Sequence, residues 1–282
     1  MPAHLRRGYR HFPTSVKIRM SKGEYTTVLA KGHGIIEETL SLLEAWEPGI
    51  STQGLAEIAI REGFLRRATA KRTKDLVTHV FAPRYLVDDG LPAKQLKMLI
   101  NEGANLGSME QLYFIYTARA NVVFHDFIRE VYWSKYAAGS TEIATEDARR
   151  FLENAYTMGR LSKRWSDEMT SRIAQGLYGC LADFKLCENA KKSSRKILRF
   201  NISSLTSLYL AHELHFSFYS DNGILDHADW QLFGLERREV VSELQRISND
   251  HFILQFSGEL VRISWKYQSI EEAIRAIARS EF

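Results

Sequence analysis

No stretch of this 282-residue chain is both long and free of charge. The most apolar one, Leu112 to Ile128, is interrupted by Arg119, His125 and Asp126. A bilayer span needs about 20 predominantly apolar residues and does not carry such a set. The stretch therefore reads as a core helix, and the chain is expected to be cytoplasmic, with no membrane partner. The start, MPAHLRRGYRHF, is charged but is followed by no apolar region of the kind a secretory signal needs. Cysteine is scarce too. Cys180 and Cys187 lie seven apart in a helical pattern, two turns from one another and too far for a bridge within one helix, so both are expected to be reduced packing residues.

Catalytic signatures are also missing. Lys31-Gly-His-Gly34 has the spacing of neither glycine-rich phosphate fingerprint. His212-Glu-Leu-His215 sets its histidines three apart rather than four and has no evident third ligand. No serine or cysteine is locally paired with a histidine, and no carboxylate run resembles a two-metal site. The expectation is a binding protein rather than an enzyme, with no cofactor and no metal.

What is present is ordinary for a folded chain. Apolar residues make up 45% and charged residues 26%, which excludes disorder as the default. The length suits two or three domains. Residues 1–24 form a basic arm, with Arg6, Arg7, Arg10, Lys17, Arg19 and Lys22 against Glu24 alone. It is either a mobile tail or an arm that orders on a polyanion.

Residues 25–86 read as a helix-turn-helix unit. Ile36, Leu40 and Leu43 recur at helical spacing until Pro48-Gly49. Thr52 caps a second helix that faces inward with Leu55, Ile58 and Ala59 and ends at Gly63. Thr69 caps a third helix with Thr73, Leu76, Val77 and Val80 inside, closed by Pro83. Residues 87–203 read as a central helical scaffold, rich in Tyr and Phe, joined to a winged-helix-like unit. That unit has helices over Glu146–Met158 and Ser166–Leu186, a polar turn at 189–194, and a strand over Arg195–Ile202. Residues 204–282 read as a C-terminal winged-helix unit. It has helices over Leu205–Phe216, Asp226–Phe233, Arg237–Ser248 and Ser269–Arg279. Its hairpin turns at Ser257-Gly258, with Phe256 facing Glu259, Leu254 facing Val261 and Phe252 facing Ile263. The predicted class is mainly α: several helix-turn-helix or winged-helix units around a helical scaffold, with short β-hairpin wings.

Net charge is only +4, but it is unevenly spread. Between Arg61 and Arg84, seven bases stand against Glu62 and Asp75. Lys71, Lys74 and Thr78 fall opposite the buried face of the third helix, with Arg72 on the flank. Bases at the start of an exposed third helix suit phosphate contact and major-groove entry. A solvated face would carry the same charges. Arg66 and Arg67 in the preceding turn add to the same side and favour the nucleic-acid role. Between Arg160 and Arg199, ten bases stand against four acids. They include Lys163 and Arg164 in a turn and Lys191, Lys192, Arg195 and Lys196 at the expected wing. From Phe200 to Asp250 the balance reverses, eight acids against three bases, a surface that repels phosphate and suits docking to a protein.

Five stretches resemble the BrxA family of BREX phage-defence systems: VLAKGHGIIEETLSLLEAW (28–46), TAKRTKDLV (69–77), SRIAQGLYGCLADFKLCE (171–188), DWQLFGL (229–235) and GELVRISWKYQSIEEAI (258–274). The last three carry most of the likeness. The resemblance implies an accessory protein without enzymatic activity that binds double-stranded DNA beside a methyltransferase and an ATPase. It also implies that this chain is longer than its family, chiefly through the basic arm. The rival expectations are an assembly adaptor for acidic partner proteins and an RNA-binding regulator.

Overall fold

The computed structural model describes residues 24–65, 68–190, 192–248, 250–258 and 260–280. A short 3-10 turn, Val28–Lys31, precedes α1 (Ile36–Ala45) and α2 (Thr52–Glu62). The cap of α2 is Ser51 rather than the expected Thr52: its Oγ accepts the Gly54 N–H at 3.1 Å, and Thr52 is the first helical residue. Gly63 ends α2 at φ +66°, a conformation that suits glycine. Thr69 Oγ1 accepts the Arg72 N–H and caps α3 (Ala70–Leu76), as expected.

Pro83 does not end this helix. The chain passes through a π-helical turn, Val77–Phe81, into α4 (Ala82–Tyr85). The Ala82 N–H reaches the Val77 carbonyl five residues back. Widening the turn just ahead of Pro83 accommodates its ring and its missing donor without a break.

After a 3-10 turn at Asp88–Gly90 come α5 (Leu91–Asn101) and α6 (Leu106–Ala120). The helix then breaks at Asn121, and α7 (Val122–Phe127), a second π-turn (Ile128–Tyr132) and α8 (Trp133–Ala137) follow. Every residue from Leu112 to Ala118 is buried. The stretch is thus core, and no described helix is long and apolar enough to cross a membrane.

Next come β1 (Glu142–Ala144), α9 (Thr145–Thr157), α10 (Asp167–Asp183) and β2 (Ser194–Lys196). β1 pairs antiparallel with β2, Ile143 opposite Arg195. β2 also meets the chain behind it, since Glu188 N–H donates to Lys196 O and Leu198 N–H to Leu186 O, each at 2.9 Å. The strand expected over Arg195–Ile202 is therefore short. Phe200 leaves the ladder to pack on Phe114 and to stack on Phe233, so the alternation beyond Ile197 reflects core packing rather than pairing.

The C-terminal part begins with α11 (Ser204–Phe216), buried on every side from Leu205 to Leu214. α12 (Asp221–Leu225) and a 3-10 turn (Ala228–Phe233) replace the single helix expected over Asp226–Phe233. α13 (Arg237–Ile247), β3 (Phe252–Ser257), β4 (Leu260–Trp265) and α14 (Ile270–Arg279) complete the chain. In the hairpin Ser257 faces Leu260, Phe256 faces Val261 and Leu254 faces Ile263, so the expected register is two residues off. Gly258, at φ +61°, takes the first turn position, where a positive φ costs least. A shift of two keeps the same face inward, so Phe252, Leu254, Val261, Ile263 and Trp265 still share one side.

A buried polar cluster joins this part to the scaffold. The Arg119 guanidinium donates to both Glu213 oxygens at 2.7 Å and, through Nε, to Asp229 Oδ2 at 2.8 Å. Tyr116 OH donates to Glu213, and the hydroxyls of Tyr116 and Tyr209 meet. The whole is a mainly helical protein with two small antiparallel sheets.

Candidate nucleic-acid interface

Lys71, Arg72 and Lys74 on α3 are exposed, and Thr78 in the following turn is half-buried. Exposed too are Lys163 and Arg164, before α10, and Lys192 and Lys196, around β2. None of these seven bases pairs with a carboxylate among the described residues. Arg195 differs. It is half-buried, donates to the Tyr178 carbonyl at 2.9 Å and lies 5.0 Å above the Tyr178 ring, a packing role inside the second unit. Arg66, Arg67 and Lys191 lie outside the described residues.

The structure adds a relationship that sequence patterning missed. Glu168, Arg172, Gln175, Gly179 and Ala182 follow one another at three- and four-residue steps, so they form one stripe along α10. Arg172 and Gln175 are exposed. At Gly179 the stripe is crossed by the loop 32–35, with His33 packed on the glycine where no Cβ would fit. At Ala182 and Asp183 it borders a groove of about 720 Å³ that also includes Arg72, Lys31, His33 and Asn189. The first-unit helix α3 and the turn behind β2 thus meet at the C-terminal end of α10, while Lys163 and Arg164 stand at its N-terminal end. At 1.5 Å per residue, α10 separates them by about 25 Å.

The loop that links the units is held tightly. Buried Arg84 donates to the carbonyls of Gly32 and Gly34, each at 3.3 Å, and of His33 at 2.7 Å. Asp183 accepts the Gly34 N–H at 2.9 Å. Ile35 sits at φ +44°, a conformation uncommon for a β-branched residue and sustained here by those contacts. Burial lowers the His33 pKa. Asp183 opposes that shift, while the charges of Arg72, Arg84 and Arg195 reinforce it. Lys31-Gly-His-Gly34 is therefore a junction between units. A signal for it existed in Gly176 and Gly179, which give α10 a surface open to close approach by another chain segment.

The acidic C-terminal part is organised differently. Arg237 pairs with Asp226 at 2.7 Å and Arg246 with Glu243 at 2.7 Å, so two of the three bases on α13 are already engaged. Its hairpin exposes Ile253, Phe256 and Leu260. The two histidines of His212-Glu-Leu-His215 pack as rings. His212 shares a 2.8 Å hydrogen bond with the Leu208 carbonyl, and burial pulls its pKa down to about 4, while His215 stacks on Trp265 at 4.3 Å. Among the described residues no group of three or more His, Cys, Asp or Glu is placed to hold a metal ion. Cys180 and Cys187 are free and buried.

These features define a mainly helical protein whose unpaired bases gather along two helices and a turn. The BrxA family profile matches residues 23–213, and the chain belongs to that family, whose members are BREX-associated proteins. The match ends inside α11. Two of the stretches that resemble the family, Asp229–Leu235 and Gly258–Ile274, thus lie beyond it. A crystal structure of an uncharacterized protein from Magnetospirillum magneticum superposes with a TM-score of 0.55 at 16% identity, covering 69% of this chain and 95% of that one. At that identity the likeness concerns the fold alone. No curated protein matches the chain.

Proposed function

We propose that this protein is a non-catalytic, double-stranded DNA-binding component of its phage-defence system. The observation that carries this is the placement of unpaired bases. Lys71, Arg72 and Lys74, Arg172 on the exposed stripe of α10, the Lys163–Arg164 turn, and Lys192 and Lys196 are distributed along and around α10, over a length of about 25 Å. One turn of B-DNA is about 34 Å long. Such a surface contacts backbone phosphates on both sides of a groove, which favours duplex over single strands and gives little sequence preference. The order of β1, α9, α10, the 186–188 segment and β2, with β2 central, supports a winged-helix use of the second unit. In that use α10 approaches the groove and Lys192 lies over the backbone.

For the C-terminal unit the exposed Ile253, Phe256 and Leu260 favour contact with another protein of the same system.

The test is a binding titration on one duplex, its separated strands and an RNA of equal length, from 50 to 200 mM salt. With about six phosphates neutralised, duplex affinity should fall about a thousandfold across that range. An affinity that is flat in salt, or a preference for RNA, would contradict the proposal.

A further inference from the structure

The two ends of α10 carry exposed bases, Lys163 and Arg164 before it and Lys192 and Lys196 around β2, where Arg195 donates to the Tyr178 carbonyl. The helix face between them has a different chemistry. Glu168, Arg172 and Gln175 are exposed there, four and three residues apart, and share one stripe about 10 Å long. None of the three has a hydrogen bond or ion pair among the described residues.

The stripe holds one acid, one base and one amide, so its formal charge is zero. A face that gripped phosphates would be cationic, and Glu168 would repel them. The three head groups instead match the edges of bases in a major groove. A carboxylate accepts from cytosine N4, the Arg fork donates to guanine O6 and N7, and a Gln amide pairs with adenine N6 and N7.

The platform that carries them is rigid. Ser166 Oγ accepts the Met169 N–H at 3.2 Å and caps α10, and Ile173, Ala174, Leu177 and Leu181 on the opposite face are buried. Beyond Gln175 the stripe is closed, because His33 lies on Gly179. What stays open is the N-terminal half of the helix, the part of a recognition helix that meets base edges. Arg172 and Gln175 are separated by about 4.5 Å along the axis, against about 3.4 Å per base-pair step, so they reach neighbouring base pairs.

We propose that Arg172 and Gln175 read base edges in the major groove, Arg172 a guanine and Gln175 an adenine within one or two base pairs of it. This rests on the DNA-binding function proposed above and deepens it. Phosphate contacts at the two ends place α10, and the preference is confined to a few base pairs within a surface otherwise indifferent to sequence.

The experiment uses the full-length chain and a duplex pool with fixed flanks and a randomised centre. Enriched sequences are determined, and affinity for the most enriched duplex is measured against salt, with thermal melts alongside. The unmodified chain should enrich a guanine with an adenine nearby and bind that duplex about tenfold more tightly than one with both bases exchanged. Arg172→Gln should change the preferred guanine to adenine, a gain that misfolding cannot imitate. Gln175→Ala should keep the guanine, lose the adenine and leave the salt slope unchanged. Lys163→Gln should keep both preferences and make the slope shallower by about 0.9. An enrichment that neither Arg172→Gln nor Gln175→Ala alters would overturn the proposal. So would an Arg172→Gln protein whose only change is a shallower slope, which makes Arg172 a phosphate contact. Failure of the unmodified chain to bind any duplex removes the DNA-binding function itself, whereas equal binding to every sequence in the pool removes only the base reading.

Discussion

The imidazole of His33 lies directly on Gly179, one of two glycines along α10 against which the N-terminal segment packs. At the other, Gly176, an added Cβ would stand 3.2 Å from the Leu29 carbonyl oxygen. Small residues on this face are what allow the loop 32–35 to cross α10 and bring Arg72 to its C-terminal end.

Gly179→Ala tests that junction. An alanine is at home in the helix but displaces the His33 ring and strains a loop already held by Arg84 and Asp183. Overpacking of this kind costs about 1–3 kcal/mol. A thermal or denaturant melt should show the loss, and Gly159→Ala does not serve as its control because that glycine has φ +71°. Gly107→Ala does, since its nearest neighbour is the Asn105 side chain at 3.3 Å. A Gly179→Ala protein as stable as the unmodified chain would mean that the loop can shift freely.

Charge reversal distinguishes the first unit from the third. Lys71 and Lys74 are exposed and point away from Leu76 and Val80, which are buried. Lys71→Glu with Lys74→Glu should leave the melt unchanged and weaken duplex binding by about tenfold or more, because attractive phosphate contacts become repulsive. Arg238→Glu with Arg246→Glu should change it only a few-fold, since Arg246 is already engaged by Glu243 and the surrounding surface is acidic. Fluorescence anisotropy on one duplex measures both. A greater loss for the second pair would reverse the assignment of the two surfaces.

The buried cluster around Arg119 predicts how stability responds to acid. Burial raises the pKa of Asp229, but the charge of Arg119 outweighs it, helped by His227, and holds the carboxyl well below the usual range. A carboxyl depressed in the folded state contributes stability that is present above its unfolded value, near pH 4, and is lost as the pH falls through the folded value. Melting temperatures taken from pH 7 down to pH 3 should therefore drop, and Asp229→Asn should flatten that dependence while lowering stability at pH 7. Glu213→Gln should be costly at every pH, by about 3–5 kcal/mol, because it deprives a buried guanidinium of a charged partner. An Asp229→Asn profile parallel to that of the unmodified chain would rule out the coupling.

Much of the secondary structure was legible because it depends on local chemistry. Ser and Thr caps, glycines at positive φ and helical repeats of Leu, Ile and Ala mark α2 and α13, and the starts of α3 and α10, within a residue or two. The failures share a cause. Pro83 ought to stop a helix, yet the π-turn ahead of it absorbs the missing hydrogen bond, and nothing local announces that turn. Phe200 alternates with Ile202 like a strand residue, yet it answers to Phe114 and Phe233, far away in sequence. The hairpin slipped by two residues because both registers bury the same side chains, and only the backbone preference of Gly258 separates them.

Composition and order alone determined that the chain has three basic regions and one acidic one, and that its apolar helix is a core helix. Those are properties of side chains counted along a line. Tertiary structure alone decided that Arg195 belongs to Tyr178 while Arg72 remains unpaired, that Arg119 is buried between two carboxylates, and that His33 bridges α3 and α10. A charge is available to a ligand only where folding leaves it without an internal partner, and partners 94 or 110 residues away, as Glu213 and Asp229 are from Arg119, are chosen by packing rather than by sequence spacing.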